Sequence, residues 1–430
     1  MSKPLRIAIA GLGTVGTGVV KLLQAQGDLI AQRAGRKIEI VAVSARDAGR
    51  DRGVDLASYE WIKDPVDLVG LDVDVIVEMI GGSEGVARKL VDKSLKSKRS
   101  VVTANKALLA HSGYELAKLA EEQNVALKYE AAVAGGIPII KAVREGFSAN
   151  KINYLCGILN GTCNYILTVM RDTGRDFADV LAEAQAKGFA EADPSFDVDG
   201  IDAAHKLCLL SCLAFGIKPE FEKMQITGIR HITAADITHA DELGYRIKLL
   251  GSARISGDKI LQSMEPCLVP KRSQIGNVDG VFNAVFIEGD FVGNSLSVGR
   301  GAGEGPTASA VVADLIDIAR GNNPPVFGIP TAHMKTASWA TTDDNINHFY
   351  LRIVAKDEPG VLADISVLMR DHKISMEEVL QHGDDESHPV SIVIKTHKVR
   401  QGDMQKAVDA IKALPITLGE PVMMRIEQVG

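Results

Sequence analysis

The sequence predicts an α/β chain in three parts: an N-terminal doubly wound parallel sheet, a mixed α+β middle, and a C-terminal βαββαβ unit. Three observations carry this. Strand and helix signals alternate through the N-terminal part, a glycine-bearing turn leaves the first strand and opens the first helix, and two βαβ passages follow a Pro/Asn/Thr/Asp-rich connector.

Residues 5–10, LRIAIA, read as a short buried strand, followed at once by Gly11-Leu12-Gly13-Thr14-Val15-Gly16 and a helix to about residue 31. A lone Gly-x-Gly-x-x-Gly is a weak signal, but one that leaves a strand and opens a helix is the dinucleotide fingerprint. Gly11 permits the tight turn, Gly13 lets a pyrophosphate approach the backbone, and Gly16 lets helix pack on strand. The helix N-terminus, at Thr14 and Val15, attracts the phosphates.

Further strands are expected at 38–44, 73–79, 100–103 and 126–130, with helices at 21–33, 84–96 and 113–123. The second strand ends Val43-Ser44-Ala45-Arg46. An acid there would hold a ribose 2′-hydroxyl, whereas Arg46, with Arg50 or Arg52 to assist, favours a 2′-phosphate and hence NADP(H), with NAD(H) as the alternative. The fourth strand runs into Thr103-Ala104-Asn105-Lys106 at the carboxyl edge of the sheet, where ligands of such folds sit. Thr103, Asn105 and Lys106 are therefore candidate contacts, as against solvated loop residues. Next, Tyr129 to Pro138 is a glycine-bearing turn whose carbonyls beside Glu130 could hold a cation; on the residues alone it reads better as a hinge.

From residue 151 to about 297 the regular crossovers stop, with strands expected at 153–159 and 281–287. At the centre lies 188–215, GFAEADPSFDVDGIDAAHKLCLLSCLAF. Pro194 and Gly200 should keep its acidic half irregular, Asp199 should cap, and a helix should run over 201–215. Asp202 and Lys206 are i,i+4 neighbours, which by itself reads better as a surface ion pair. The rest of the helix, however, is apolar nearly all round, and such a helix is buried. A carboxylate and an ammonium on its first turns, facing Glu191, Asp193 and Asp197, point to a polar cleft suited to proton transfer. Asn160-Gly161-Thr162 is a turn able to present backbone donors. The glycines of 301–305, Gly303 among them, suit close approach to a cofactor and lead into a helix that should pack back on the first domain.

Beyond the connector, strands at 349–355, 374–380, 390–396 and 422–428 and helices at 361–372 and 404–414 make a ferredoxin-like unit with no obvious catalytic cluster. It is expected to serve binding or assembly, and to be removable from about residue 347 without loss of activity. The expected partition is a dinucleotide domain at 1–136 completed by helix 306–320, a substrate and dimerisation domain at 137–305, a connector at 321–347 and the small unit at 348–430.

A formal charge of −7 over 430 residues argues against nucleic acid or an anionic membrane as main partner. With no long apolar run the chain reads as cytoplasmic. Its five cysteines fit no metal spacing and read as core thiols.

The segment Ala184-x-x-x-Gly188-Phe189-Ala190, Asp193-Pro194, Asp197-Val198-x-Gly200-x-Asp202-x-x-x-Lys206 resembles the signature of homoserine dehydrogenases. With the fingerprint, Asn105-Lys106, the turn from Glu130 and the Gly301 to Thr307 stretch, the resemblance covers about 5–335. The tail, with its Asp-x-Pro-Gly turn, resembles an ACT domain, and no kinase domain precedes the fingerprint, as in monofunctional members. The resemblance implies NAD(P)-linked interconversion of L-aspartate 4-semialdehyde and L-homoserine on the route to threonine and methionine. By the same resemblance Lys206 is the proton donor, Asp202 its support, Glu191 the holder of the substrate amine with Asp197 beside it, and Lys106 a contact to substrate or nicotinamide. Glu130, Val133, Gly135 and Ile137 match a structural sodium site, which reverses the hinge reading. L-threonine is the implied effector of the tail, and a homodimer or homotetramer the implied assembly.

Overall fold

The computed structural model describes residues 3–382 and 389–429. Its chain packs as two compact units: one holds residues up to Gly161, Asp202–Met224 and Val281–Ala337, and the other Thr162–Ile201, Gln225–Gly280 and Ser338 onward.

In the first unit six parallel strands, Leu5–Ala10, Ile38–Ser44, Glu60–Trp61, Val75–Glu78, Ser100–Thr103 and Leu127–Lys128, lie in the order 3-2-1-4-5-6. This is the doubly wound order, and it reverses between the first and fourth strands. Ala10 pairs with both Ser44 and Glu78, and Glu78 with Thr103, so all four strands end on one edge. The sequence-expected strands at 5–10, 38–44 and 100–103 match residue for residue, whereas 73–79 and 126–130 shorten to four and two residues. Ile7 and Ile9 on one face meet Val19, Val20 and Leu23 of helix Thr14–Ala34, together with Val311, Val312 and Leu315 of helix Glu304–Arg320. The late helix thus returns to the first sheet, as expected. Strands Ile152–Ile158, Phe282–Gly289 and Gly293–Arg300 of this unit pair antiparallel.

The second unit is built on a long hairpin, Tyr245–Ser256 with Lys259–Pro270. The βαββαβ tail has its strands in the order Val422–Ile426, Ile346–Ala355, Val390–Thr396, Met376–His382, with helices Val361–Asp371 and Gln401–Lys412 packed through Ile365, Met369, Met404 and Ile411. Its last strand also pairs in parallel with the hairpin, Cys267 opposite Arg425 and Leu268 opposite Ile426. The tail is therefore continuous with the hairpin sheet, which strand patterns alone do not reveal.

Candidate active site

Helix Ile201–Phe215 appears at the expected bounds, and every residue from Asp202 to Leu213 is buried. Burying an ion pair requires that each charge be matched and hydrogen-bonded. The Lys206 ammonium donates to Asp202 Oδ2 at 2.7 Å and to the Leu159 carbonyl at 2.8 Å. Asn160 Nδ2 donates to the same Asp202 oxygen at 2.9 Å, and Lys106 Nζ lies 3.1 Å from Oδ1. Burial alone would raise the Asp202 carboxyl, but the Lys206 and Lys106 charges and the hydrogen bonds from Lys206 and Asn160 outweigh it and hold it well below the usual carboxylate range. Two ammonium groups thus flank one buried carboxylate.

Lys106 is the first residue of helix Lys106–Gln123, which begins seven residues before the expected 113. A cation at the positive end of a helix is unfavourable by about 0.3–1 kcal/mol, so Asp202 offsets a local disadvantage. Asn105 caps that helix: its Oδ1 accepts from Leu108 N and its Nδ2 donates to the Gly82 carbonyl. The Thr103 hydroxyl donates to Glu78 Oε2 at 2.6 Å, while Glu78 Oε1 accepts from Ile80 N and Gly81 N. The Thr103 and Asn105 side chains thus shape the carboxyl edge of the sheet. The buried Glu78 that organises this edge, and the side chain of Asn160, were not singled out from the sequence; an acid ending a fully apolar strand is the signal that could have found Glu78.

At the fingerprint Gly11 has φ +102°, and a Cβ there would fall 2.5 Å from the Met79 carbonyl oxygen; one on Gly16 would fall 1.9 Å from the Gly11 oxygen. Gly13 differs, since no protein atom lies within 4 Å of its Cβ position. Gly13 precedes helix Thr14–Ala34, which has no side-chain cap and no acid in its first turn. Its first amides and the open approach over Gly13 fit a pyrophosphate. Arg46 is exposed just past the second strand. Arg52 reaches back, donating from Nε to the Leu12 carbonyl at 3.2 Å and lying over the Trp61 ring. Gly303, at φ +126°, is the N-cap of Glu304–Arg320.

The turn from Glu130 to Ile137 holds a non-glycine residue, Ala134, at φ +48°. Gly135 N and Gly136 N donate to the carbonyls of Gly301 and Arg300, which fixes the turn against the glycine stretch. The Glu130 carboxylate accepts from Ile140 N and Lys141 N, each at 2.9 Å, and Glu130 N donates to Asp314 Oδ2. Burial, then the neighbouring Asp314, push the Glu130 carboxyl up to about 7, and burial pushes Asp314 up to about 6. Two buried acids whose carboxyls stay raised despite the nearby Lys141, beside a strained turn, fit a monovalent cation held at Glu130, Val133, Gly135 and Ile137.

The acid-rich segment lies in the second unit. Here the structure corrects two expectations. The segment is not wholly irregular, because Ser195–Val198 forms a helical turn that Asp193 stabilises by accepting from Ser195 N. Asp199, expected as a helix cap, instead pairs with Arg230. Glu191 is exposed and Asp197 half-buried. All five cysteines are buried, and no metal cluster of His, Cys, Asp or Glu occurs among the described residues.

Comparison with known proteins covers the whole chain. Residues 138–316 match a family model described as homoserine dehydrogenase, 11–130 one described as homoserine dehydrogenase, NAD binding domain, and 349–416 an ACT domain. The chain is 45% identical to a homoserine dehydrogenase of Neisseria gonorrhoeae over 99% of both chains. Among solved structures it resembles a homoserine dehydrogenase from Thiobacillus denitrificans, with TM-score 0.94 and 43% identity over 100% of this chain and 99% of that one. It also resembles a hyperthermophilic archaeal homoserine dehydrogenase in complex with NADPH, with TM-score 0.64 and 27% identity over 75% of this chain and 100% of that one.

Proposed function

The chain belongs to the homoserine dehydrogenase family, oxidoreductases acting on the CH–OH group of homoserine, and from that premise we propose that it interconverts L-aspartate 4-semialdehyde and L-homoserine with NADP(H) as preferred cofactor, on the route to threonine and methionine. The observation that carries the chemistry is the buried Lys206 ammonium, held by Asp202 and the Leu159 carbonyl.

The nicotinamide, when bound, supplies or accepts the hydride at the carbon that is aldehyde in one substrate and alcohol in the other. Everything else falls to this chain. An ammonium has three N–H donors, and two of those on Lys206 are committed. The third is directed to the substrate oxygen: Lys206 gives it a proton in reduction and takes one back in oxidation. The Lys206 ammonium beside the substrate oxygen favours the alkoxide that develops between these states, and Asp202 keeps both ammonium groups in place. Glu191 and Asp197 bind the substrate amine. Thr14, Val15 and the fingerprint glycines receive the pyrophosphate, and Arg46, with Arg52 beside it, receives the 2′-phosphate; the NADPH complex of the archaeal relative supports that preference. A sodium ion at the Glu130 turn would be structural, adding positive charge to a buried acidic pair.

On this reading residues 1–136 with helix 306–320 bind the dinucleotide, 137–305 bind substrate, and 348–430, past a connector at 321–347, bind L-threonine as inhibitor. A homodimer or homotetramer is supported by strand Gly293–Arg300, which ends its sheet among the described residues and shows Val298 half exposed near exposed Phe282. The test of the central assignment is Lys206→Ala. It should lower kcat by about 10²–10⁴ while NADPH affinity, measured by fluorescence titration, is kept. A kcat near the wild-type value would remove the assignment.

A further inference from the structure

The acid-rich turn does not stand on its own. Ser195–Val198 is a single helical turn, far too short to persist without tertiary support. Its support is the strip that follows strand Gln225–Ile226. Thr227 N donates to the Met264 carbonyl, and Ile229 N donates to the Val198 carbonyl at 2.9 Å. A Cβ on Gly228 would fall 2.2 Å from that Val198 oxygen, so the two backbones are in direct contact.

From this strip Arg230 clamps the turn at both ends. Its Nε donates to Asp199 Oδ1 at 2.5 Å, and its Nη2 donates to Asp199 Oδ2 at 3.2 Å and to Ser195 Oγ at 2.9 Å. The Arg230 and Asp199 side chains are 46% and 43% exposed, where an ion pair adds little stability. The forked geometry has a different effect: it fixes orientation, which a single-point contact would not do.

The far end of the strip is anchored in turn. Thr233 opens helix Ala234–Glu242 in a reciprocal capping box with Asp236. Asp236 is fully buried, and its carboxylate also accepts from Arg352 Nε at 2.6 Å, Arg352 Nη2 at 3.0 Å and Tyr350 OH at 3.1 Å. Arg352 and Tyr350 belong to Ile346–Ala355, the first strand of the C-terminal part. One carboxylate therefore joins that strand to a helix whose N-cap lies three residues after Arg230.

We propose that Arg230 is a positioning residue for substrate binding, and that Asp236, gripped by Arg352, anchors the strip from which it acts. Arg230 sets the Ser195–Asp199 turn and with it the aim of Asp197. The assignment rests on the reading of Glu191 and Asp197 as ligands of the substrate amine.

The test uses the full-length enzyme. Arg230→Ala should raise KM for L-aspartate 4-semialdehyde about tenfold, with kcat and the KM for NADPH within about twofold, and Arg230→Lys should recover part of the loss. Arg352→Lys keeps the charge but loses the fork, and should raise the same KM. Because both changes act on one turn, the double variant should be no worse than Arg230→Ala alone. A semialdehyde KM within about twofold of wild type in Arg230→Ala, or multiplying effects in the double variant, would overturn the proposal. Glu191→Ala separates the two layers of argument. If it raises KM while Arg230→Ala does not, the positioning role falls and the substrate reading stands; if neither raises KM, both fall. Should Arg352→Lys yield no folded protein, the Arg230 pair decides alone.

Discussion

Asp202→Asn keeps the shape of the side chain and removes the charge between two ammonium groups. At separations of 2.7 and 3.1 Å the gross attractions are about 6 and 5 kcal/mol with an effective dielectric of about 20. The net loss is smaller. Breaking a buried pair typically destabilises by about 3–5 kcal/mol, and Lys106, 27% exposed at its side chain, can turn towards water, so a value near 3 kcal/mol is expected. The pH dependence has a definite sign. The Asp202 carboxyl is held below its unfolded value of about 4, so its contribution is fully present above that value and is lost as pH falls below it. Urea unfolding should therefore show a gap between wild type and variant that is constant from about pH 7 to about pH 5 and narrows below about pH 4. Initial rates with saturating NADPH should show kcat lowered by about 10–100-fold, because the proton donor is still present but has lost the charged one of its two holders. A gap under about 1 kcal/mol at neutral pH, or a kcat within about twofold of wild type, would refute the reasoning.

Gly13→Ala and Gly16→Ala should behave differently despite belonging to one motif. The first meets no protein atom and should leave the melting temperature of the cofactor-free protein unchanged while weakening NADPH binding by about tenfold or more; unchanged NADPH affinity would count against the phosphate role. The second drives a methyl group into the Gly11 carbonyl and should lower the melting temperature itself, which differential scanning calorimetry would detect. Exchanging choline for sodium at constant ionic strength should raise the melting temperature, and more at pH 8 than at pH 6. Glu130, raised to about 7, loses stability as pH climbs from its unfolded value through 7, and a bound cation restores it. Equal melting curves in both salts at both pH values would remove the sodium assignment.

Much of this architecture was legible because local signals agreed with the global fold. Ile201–Phe215 announced both its bounds and its burial through an apolar circumference interrupted by Asp202 and Lys206. The doubly wound sheet followed from alternation, and the dinucleotide turn from its place between strand and helix. Residues that act through distant partners left no such trace. Arg230 and Asp236 lie 31 and 116 residues from the groups they hold, Asp199 and Arg352, and as isolated charges they are indistinguishable from solvated ones. For Glu130 the residues alone favour a hinge, because Asp314, which meets its backbone N–H, lies 184 residues on.

The tail shows what that blindness to distance does to an experiment. As a βαββαβ pattern it looks detachable, and deletion from about residue 347 looks like a clean way to remove regulation. The structure implies otherwise. Arg352 is the buried partner of Asp236, and Arg425, itself 2% exposed, is the partner of Glu265 on hairpin strand Lys259–Pro270. Deletion leaves two carboxylates without their cations and bares the hairpin edge where Val422–Ile426 had paired. Removing one member of a buried pair destabilises by about 3–5 kcal/mol, so losing two approaches the whole stability of an ordinary domain. The truncated chain should therefore melt well below the full-length protein or fail to accumulate. Adding Asp236→Asn and Glu265→Gln to the truncation should recover part of the loss by removing the stranded charges. If the simple truncation melts with the full-length enzyme and keeps its KM, the buried pairs are ornaments of the fold. If it does not, loss of threonine response in such a truncation says nothing about where threonine binds, and substitutions on the exposed face of the tail are the experiment that does.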